Sequence, residues 1–225
     1  MSKYNAILII VTGHGHLPDR HPTGIWLEEY AAPAALFKAN GYNVVVASIN
    51  GGAAPVDPNS LPEHPDADTR AALKDLENTQ SLNNINLAEF DAVFFPGGHG
   101  TMFDLPDSQQ VSQTIVNFLE TGRVVGAVCH GPAALISAYY SDGTPVVKGR
   151  KLTSFTNDEE RAAQLDKAMP FLLQSKLSEL GAAFENSPNW QDHVVVDGKL
   201  ITGQNPQSSA STANAMLTAI RENVL

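Results

Sequence analysis

The chain has 225 residues, of which 43% are hydrophobic and 17% are charged, and its formal net charge is −10. This length supports one sizeable core, and the composition is that of a globular chain rather than a disordered one. The acidic balance, with no cluster of lysine or arginine, excludes the usual nucleic-acid binders and disfavours an anionic membrane surface. We therefore expect neither nucleic acid nor membrane as a partner.

Cysteine usage and the first residues bear on the compartment. The single cysteine, Cys129, has no second cysteine with which to form an internal disulfide. The apolar run over residues 6–11 is too short to span a bilayer and lacks the flanks of a signal peptide. We expect a cytoplasmic location.

Apolar runs rich in β-branched residues alternate with helical patterns. Buried strands are predicted over residues 6–12, 43–48, 91–95 and 123–128, and helices over 25–39, 69–77, 108–121 and 132–139. Continuous apolarity is typical of parallel strands that are covered on both faces. The alternation predicts a doubly wound α/β sheet.

The later elements elaborate the same pattern. Strands are predicted over 151–155, 192–196 and 199–202, with Asp197-Gly198 as a hairpin turn, and a closing helix over 208–223. Residues 50–68 form a loop-rich elaboration, because they lack a period and are rich in Gly, Pro and Asp. Residues 156–180 predict a helical insertion in which Pro170 separates two helices. One domain over residues 1–225 accounts for all of these elements.

The most specific segment is VVGAVCHGPAAL, residues 124–135. A strand ends before Cys129, and Pro132 stands in the first turn of the predicted helix. Ala127 and Gly131 flank the cysteine with small side chains, as a nucleophile elbow requires. The following helix N-terminus predicts an acidic thiol.

A glycine-rich segment, PGGHG over residues 96–100, follows another strand of the same sheet. Glycines let the backbone approach a ligand and leave amide groups exposed. We expect Gly97 and Gly98 to form an oxyanion hole together with the amide that follows Cys129.

The segment TGIWLEEYAAP, residues 23–33, supplies a candidate carboxylate. At 100° per residue, Glu29 flanks the apolar face of the helix, whereas Glu28 points nearly opposite. We therefore expect Glu29 to be partly buried beside the sheet, with a raised pKa that suits proton transfer.

Five of the seven histidines lie in or next to the candidate site segments. His14, His16 and His21 cluster in the loop after the first strand, where a zinc site with Asp19 is an alternative to polar residues near a pocket. We expect no metal there. We assign His14, together with His99 of the PGGHG segment, to substrate binding.

His130 directly follows the candidate nucleophile and needs a carboxylate to orient its ring. The segment FTNDEER, residues 155–161, offers Asp158, Glu159 and Glu160 at a strand-to-helix junction. Those acids are equally typical of a helix N-terminus.

Several of these segments resemble the ThiJ/PfpI superfamily. The shared motifs are AVCHGPAAL, the strand-terminal PGGHG and the early TGxxxxE. TGIWLEEYAAP, KLTSFTNDEE and LITGQNPQSS resemble its branch of heat-shock chaperones and glutathione-independent glyoxalases, with the Parkinson-disease deglycase as a more distant relative. The resemblance covers nearly the whole chain.

The resemblance implies a set of site residues. Cys129 matches the family nucleophile, His130 its neighbouring histidine, Glu29 the buried glutamate and Gly98 the oxyanion glycine. The third acid of the branch matches Glu160 best, five residues after Phe155, with Glu159 as the alternative.

The resemblance also implies a fold and an activity. The fold is a flavodoxin-like sheet sandwiched by helices, as in the class I glutamine amidotransferases, usually in a homodimer. The activity is the conversion of methylglyoxal and related 2-oxoaldehydes to 2-hydroxy acids such as lactate, through a cysteine hemithioacetal and without glutathione, metal or another cofactor. Deglycation of proteins and holding-chaperone activity in carbonyl or oxidative stress also occur in this branch.

Other functions share parts of this pattern. A glutamine amidotransferase requires glutamine where Ala133 stands, and a His-Pro-Glu segment that the C-terminal half lacks. A PfpI-like cysteine peptidase or amidase and an isocyanide hydratase remain alternatives, because the elbow alone does not name the electrophile. A non-enzymatic holding chaperone or redox sensor is a further alternative.

Overall fold

A seven-stranded sheet forms the centre of the computed structural model, which describes residues 4–222. The strands of that part of the chain are β1 (Ala6–Val11), β2 (Asn43–Ser48), β3 (Gln80–Ser81), β4 (Ala92–Phe95), β5 (Val124–Val128), β6 (Lys151–Leu152), β7 (Ala183–Phe184), β8 (Val194–Asp197) and β9 (Leu200–Gly203). The large sheet has the order β3-β2-β1-β4-β5-β9-β8, while β6 pairs with β7 separately. Within the large sheet only β8 runs antiparallel, against β9. The predicted mostly parallel, doubly wound sheet is confirmed.

Helices cover both faces of this sheet. They are α1 (Leu27–Ala39), α2 (Ala67–Leu76), α3 (Thr101–Asp104), α4 (Gln109–Glu120), α5 (Asn157–Ala162), α6 (Leu173–Glu179) and α7 (Ser209–Glu222). Alternate residues of β1 face opposite layers, because successive side chains of a strand point to opposite faces. Ile7 and Ile9 pack in the cluster that contains α1 and α7, and Leu8 and Ile10 in the cluster that contains α4. None of the described helices is long and apolar enough to cross a membrane.

Two predicted elements differ from the structure. The predicted helix over 132–139 is a short 3-10 turn, Gly131–Leu135. The chain then folds back on itself, with Tyr139 bridging to Pro145, so a longer helix cannot form. The predicted strand over 151–155 is paired only at Lys151–Leu152, since the next amides bond to side chains and loops rather than to a strand.

The last two strands and the closing helix lie close to their predicted ranges. Strands β8 and β9 form the predicted hairpin, with Gly198 at a φ of +58° in its turn. The closing helix is α7, and residue 223 of its predicted range lies outside the described residues. The segment over 156–180 carries α5 and α6 on either side of Pro170. The segment over 50–68 is mainly loop, tied to its surroundings by bridges from Gly52 to Thr79 and from Val56 to Ile25.

Candidate active site

Cys129 lies directly after β5, at the carboxyl edge of the sheet, in a sharp turn. Its φ of +59° falls in the left-handed region that residues with side chains rarely adopt. Its amide donates to the carbonyl of Gly203 at 3.0 Å, so the neighbouring strand β9 holds the turn. A Cβ atom at Gly131 would collide with the carbonyl oxygen of Phe95. The turn therefore has the geometry of the predicted nucleophile elbow.

The thiol, an imidazole and a carboxylate form a chain of contacts. The Cys129 Sγ is 3.4 Å from the His130 Nδ1, and the His130 Nε2 is 2.7 Å from the Glu160 Oε2. Burial opposes ionisation of Glu160, but the charge and hydrogen bonds of His130 and His99 hold the pKa of this carboxyl well below its usual range. The carboxylate therefore accepts the Nε2–H of His130, which leaves the Nδ1 lone pair facing the thiol.

His130 is suited to act as a base. Burial, assisted by the neighbouring His99, lowers the pKa of His130 below its ordinary value. The ring is therefore neutral at neutral pH. Its orientation is fixed by Glu160 on one side and by the thiol on the other, which is the arrangement of a nucleophile, a base and an orienting acid.

The two consecutive carboxylates of α5 have different partners. The second oxygen of Glu160, Oε1, is 2.8 Å from the His99 Nε2, so each oxygen of this carboxylate holds one histidine. Glu159 forms a capping box with Thr156, and both of its carboxylate oxygens bond to groups other than His130. Its hydrogen-bond donors are the amide and hydroxyl of Thr156, the amide of Trp190, and the side-chain amides of Gln204 and Asn205. The geometry therefore selects Glu160 over Glu159 as the partner of His130.

This difference predicts opposite phenotypes for two neighbouring substitutions. Glu160→Gln should lower kcat by about 10²- to 10⁴-fold with the fold retained, because an amide cannot fix the required tautomer of His130. Glu159→Gln should leave kcat within about threefold but lower the unfolding temperature, because its amide group would face donors in place of a buried acceptor. Steady-state rates and thermal melts of both variants provide the measurement. Equal losses of kcat would contradict the assignment.

Glu29 lies on α1 and is fully buried, more so than the partial burial predicted from the helical wheel, whereas Glu28 is exposed. The Glu29 Oε2 accepts the amide of Gly97 at 2.7 Å. Its Oε1 is buried and has no hydrogen-bond partner within the described residues. Burial raises the pKa of Glu29 to about 8, so the carboxyl is mainly protonated at neutral pH. Because Oε2 accepts the Gly97 amide, Oε1 is the oxygen available to carry the proton.

Cys129 and Glu29 face each other, and their titrations are coupled. Burial and the neighbouring Glu29 carboxyl raise the pKa of the Cys129 thiol well above its ordinary value. This direction is opposite to the acidic thiol predicted from the sequence. The expected helix N-terminus is only a short 3-10 turn, whose dipole is too small to offset burial beside a carboxyl.

Two backbone amides are free to stabilise an oxyanion. Gly97 is not one of them, contrary to expectation, because its amide already donates to Glu29. The amides of Gly98 and His130 have no acceptor within residues 4–222. Gly98 has a φ of +97°, and a Cβ there would collide with the carbonyl oxygen of Gly24. Only glycine can therefore present its amide at this position.

The histidines predicted to bind substrate have other contacts. His99 is engaged with Glu160, and its ring centroid is 4.2 Å from that of His130. The ring of His14 stacks on Phe103 at 4.9 Å, and its Nε2 lies 2.6 Å from the carbonyl oxygen of His16. The structure therefore places His99 in contact with Glu160 and His130 beside Cys129, whereas the His14 side chain bonds to the backbone of its own loop.

The described residues that could together bind a metal ion are not the loop histidines suggested by the sequence. His21 pairs with Asp19 at the surface, while His14 is bonded to the loop backbone. In the part of the chain that the structure describes, the candidate ligands that converge are those of His99, His130 and Glu160, whose donor atoms lie within 4.8 Å of one another. Those three residues are already bonded to each other.

Two aromatic residues that were not predicted as site residues, Phe155 and Trp190, lie beside the site. The Phe155 ring centroid is 4.5 Å from that of His130, and the amide of Phe155 donates to the carbonyl of Cys129 at 2.9 Å. Trp190 lies against Phe155, with ring centroids 5.5 Å apart. The sequence around Trp190 does not predict this position, because long-range hydrogen bonds to its loop bring the residue to the site.

The chain is similar to known proteins over almost its full length. Glyoxalase 3 of Candida albicans is 28% identical over 96% of this chain and 99% of its own. A glutathione-independent glyoxalase of Schizosaccharomyces pombe is 32% identical over 96% and 97% of the two chains. The solved structure of Rapid Encystment Protein from Francisella tularensis is 33% identical and superposes with a TM-score of 0.92, covering 96% and 98% of the two chains.

The fold and the family agree. Glyoxalase III of Candida albicans superposes with a TM-score of 0.86 at 26% identity, over 96% of this chain and 98% of its own. A model of the DJ-1/PfpI family matches residues 23–219. The chain therefore belongs to the DJ-1/PfpI family.

Proposed function

We propose that the protein is a glutathione-independent glyoxalase, which converts methylglyoxal and related 2-oxoaldehydes to 2-hydroxy acids. The observation that carries this proposal is the contact chain from Cys129 through His130 to Glu160, with the protonated carboxyl of Glu29 beside the thiol. The names of the Candida albicans and Schizosaccharomyces pombe relatives support the same activity. The homodimer that the resemblance implies stays a prediction.

The first step joins the thiol to the substrate. The Cys129 Sγ adds to the aldehyde carbon, and its proton passes to the His130 Nδ1, 3.4 Å away. The amides of Gly98 and His130 face the oxygen as negative charge develops on it. His130 then returns the proton to that oxygen, which completes a neutral hemithioacetal.

The second step moves hydrogen from the former aldehyde carbon, C1, to the ketone carbon, C2. Neutral His130 removes the hydrogen of C1, while the proton on the Glu29 Oε1 passes to the oxygen of C2. The resulting enediol accepts the proton of His130 at C2 and gives the C1 hydroxyl proton back to Glu29. C1 is thereby oxidised to a thioester and C2 is reduced to an alcohol, so no external oxidant or reductant is required.

Hydrolysis completes the cycle. Water adds to the thioester carbon as His130 accepts one of its protons, and the Gly98 and His130 amides again stabilise the oxyanion. Collapse of this intermediate breaks the bond to sulfur, and the Cys129 sulfur recovers the proton from His130. The product is the 2-hydroxy acid.

The direct test is lactate formation from methylglyoxal by purified protein with no glutathione. We expect one lactate for each methylglyoxal consumed. Consumption of methylglyoxal without lactate would indicate stoichiometric trapping by protein side chains and would contradict the proposal.

Removal of metal gives a separate prediction. The steps above use a thiol, an imidazole, a carboxyl and two amides, so exhaustive chelation should leave lactate formation within about twofold. Added zinc should inhibit, because binding at His99, His130 and Glu160 would occupy the base and its orienting acid. Metal content is measured on the same samples. Activity that is lost with the metal and restored by stoichiometric zinc would overturn the thiol mechanism.

A further inference from the structure

An aromatic row extends from the catalytic histidine to the protein surface. Phe155 contacts His130, with ring centroids 4.5 Å apart, and Trp190 contacts Phe155 at 5.5 Å. Phe155 is buried, whereas 43% of Trp190 is exposed. The proposed mechanism uses neither ring. The row therefore runs from His130, which contacts the Cys129 sulfur, through the buried Phe155 to the exposed Trp190.

The loop that carries Trp190 is held in place by buried polar side chains. The amide of Trp190 donates to the Glu159 Oε1 at 2.9 Å. The side chain of Gln204 bonds to both backbone groups of Ser187, and that of Asn205 bonds to the carbonyl of Gln191. Glu159, Gln204 and Asn205 are all fully buried. The loop is therefore fixed to the same short helix that carries Glu160.

Trp190 is held in an unfavourable conformation for its residue type. Its φ is +63°, in a region where a bulky residue is an outlier. Such strain persists only where the surrounding contacts impose it, and it concentrates at binding and catalytic sites. A large apolar side chain kept half exposed beside an active site is also typical of a ligand-binding wall.

We propose that Phe155 and Trp190 form an aromatic subsite that binds a planar aromatic substituent on the ketone side of a 2-oxoaldehyde. The inference rests on the proposed glyoxalase function and names the substrate class that the site prefers, the aryl glyoxals. The aldehyde carbon is held at Cys129, and the aryl group extends along the row and stacks against Phe155 and Trp190. Methylglyoxal carries only a methyl group and gains little from Trp190.

The test compares kcat/KM for phenylglyoxal and methylglyoxal in the wild type, Trp190→Ala and Trp190→Phe. Both replacements keep a Cβ, so the strained backbone is the same in all three proteins. Tyr139→Ala is the matched control, because Tyr139 is also 43% exposed but has no ring contact with the row. Loss of one aromatic contact corresponds to about a 3- to 10-fold drop.

We expect Trp190→Ala to lose about 3- to 10-fold with phenylglyoxal and less than about twofold with methylglyoxal. Trp190→Phe should recover at least half of the loss, and Tyr139→Ala should change neither substrate. Binding of 1-phenylpropane-1,2-dione, which lacks the aldehyde hydrogen and cannot isomerise, gives a readout independent of turnover. It should quench the fluorescence of the wild type more strongly than that of Trp190→Ala, whose remaining tryptophan is Trp26.

Three outcomes would overturn the subsite. The first is an equal loss of kcat/KM with both substrates, which would indicate a positioning role. The second is an unchanged ratio of kcat/KM for phenylglyoxal to kcat/KM for methylglyoxal in Trp190→Ala. The third is a change of oligomeric state in that variant, which would identify a subunit interface instead. Wild-type protein that forms no lactate from methylglyoxal contradicts the proposed function itself. In that case quenching by the dione still decides whether the aromatic row binds an aryl group.

Discussion

Cys129→Ala should lower kcat for methylglyoxal by about 10⁴-fold or more, the scale seen when a nucleophile is removed from a triad. The reason is that every step of the proposed cycle passes through a bond to the Cys129 sulfur. Alanine keeps the Cβ and so retains the left-handed backbone conformation of the elbow. Lactate formation by the variant is measured at a protein concentration high enough to detect the residual rate.

The control for this loss is the fold of the variant. The thiol is buried, so the variant should show an unchanged circular dichroism spectrum and an unfolding temperature within a few degrees of the wild type. Retention of more than about 1% of the activity by folded Cys129→Ala would contradict covalent catalysis.

Glu29→Gln should lower kcat by about 10²- to 10⁴-fold, the contribution of a general acid–base group. Glutamine still accepts the Gly97 amide, so the geometry is kept while the transferable proton is lost. Glu28→Gln is the matched control, since its side chain is exposed on the same turn of α1, and its activity should be unchanged. Equal effects of the two substitutions would contradict the role of Glu29.

The same substitution should change stability in the opposite direction. Burial raises the pKa of Glu29 from 4.5 to about 8. Below the lower value the carboxyl is neutral in both folded and unfolded chains. Between the two values the unfolded chain releases its proton while the folded chain keeps it, so stability falls as pH rises, and above about pH 8 the loss is complete. Glutamine has no such titration.

The unfolding temperature of Glu29→Gln should therefore exceed that of the wild type increasingly between pH 5 and pH 8. The measurement is a set of thermal melts of both proteins across that range. A constant difference in unfolding temperature would mean that Glu29 is ionised in the folded protein.

The sheet and the nucleophile were predictable because their signals are local. The strands around Cys129 are continuous apolar runs, and the small residues that flank it are required by the elbow itself. The 3-10 turn after Cys129 was not predictable in the same way, because its end is set by the pairing of Tyr139 with Pro145. The prediction of an acidic Cys129 thiol was wrong for the same reason, because the burial of the thiol beside Glu29 arises from tertiary packing.

The choice between Glu159 and Glu160 did have a local signal. Threonine followed three residues later by glutamate is the pattern of a capping box, which assigns Glu159 to Thr156 and leaves Glu160 free to face His130. The roles of Gly97 and His99 had no local sequence signal, because they depend on contacts with α1 and α5, which come from distant parts of the chain. The placement of Trp190 depends on such contacts as well.

The attachment of α5 has a consequence for heat tolerance. This six-residue helix supplies Glu160, and its Glu159 anchors the Trp190 loop. The helix lies outside the large sheet. Detachment of α5 alone removes the orienting acid from His130 and leaves the sheet folded. Catalysis requires α5 in place as well as the sheet, so we expect activity to be lost on warming no later than the sheet melts, and the temperature range of activity depends on this short helix as well as on the global stability of the domain.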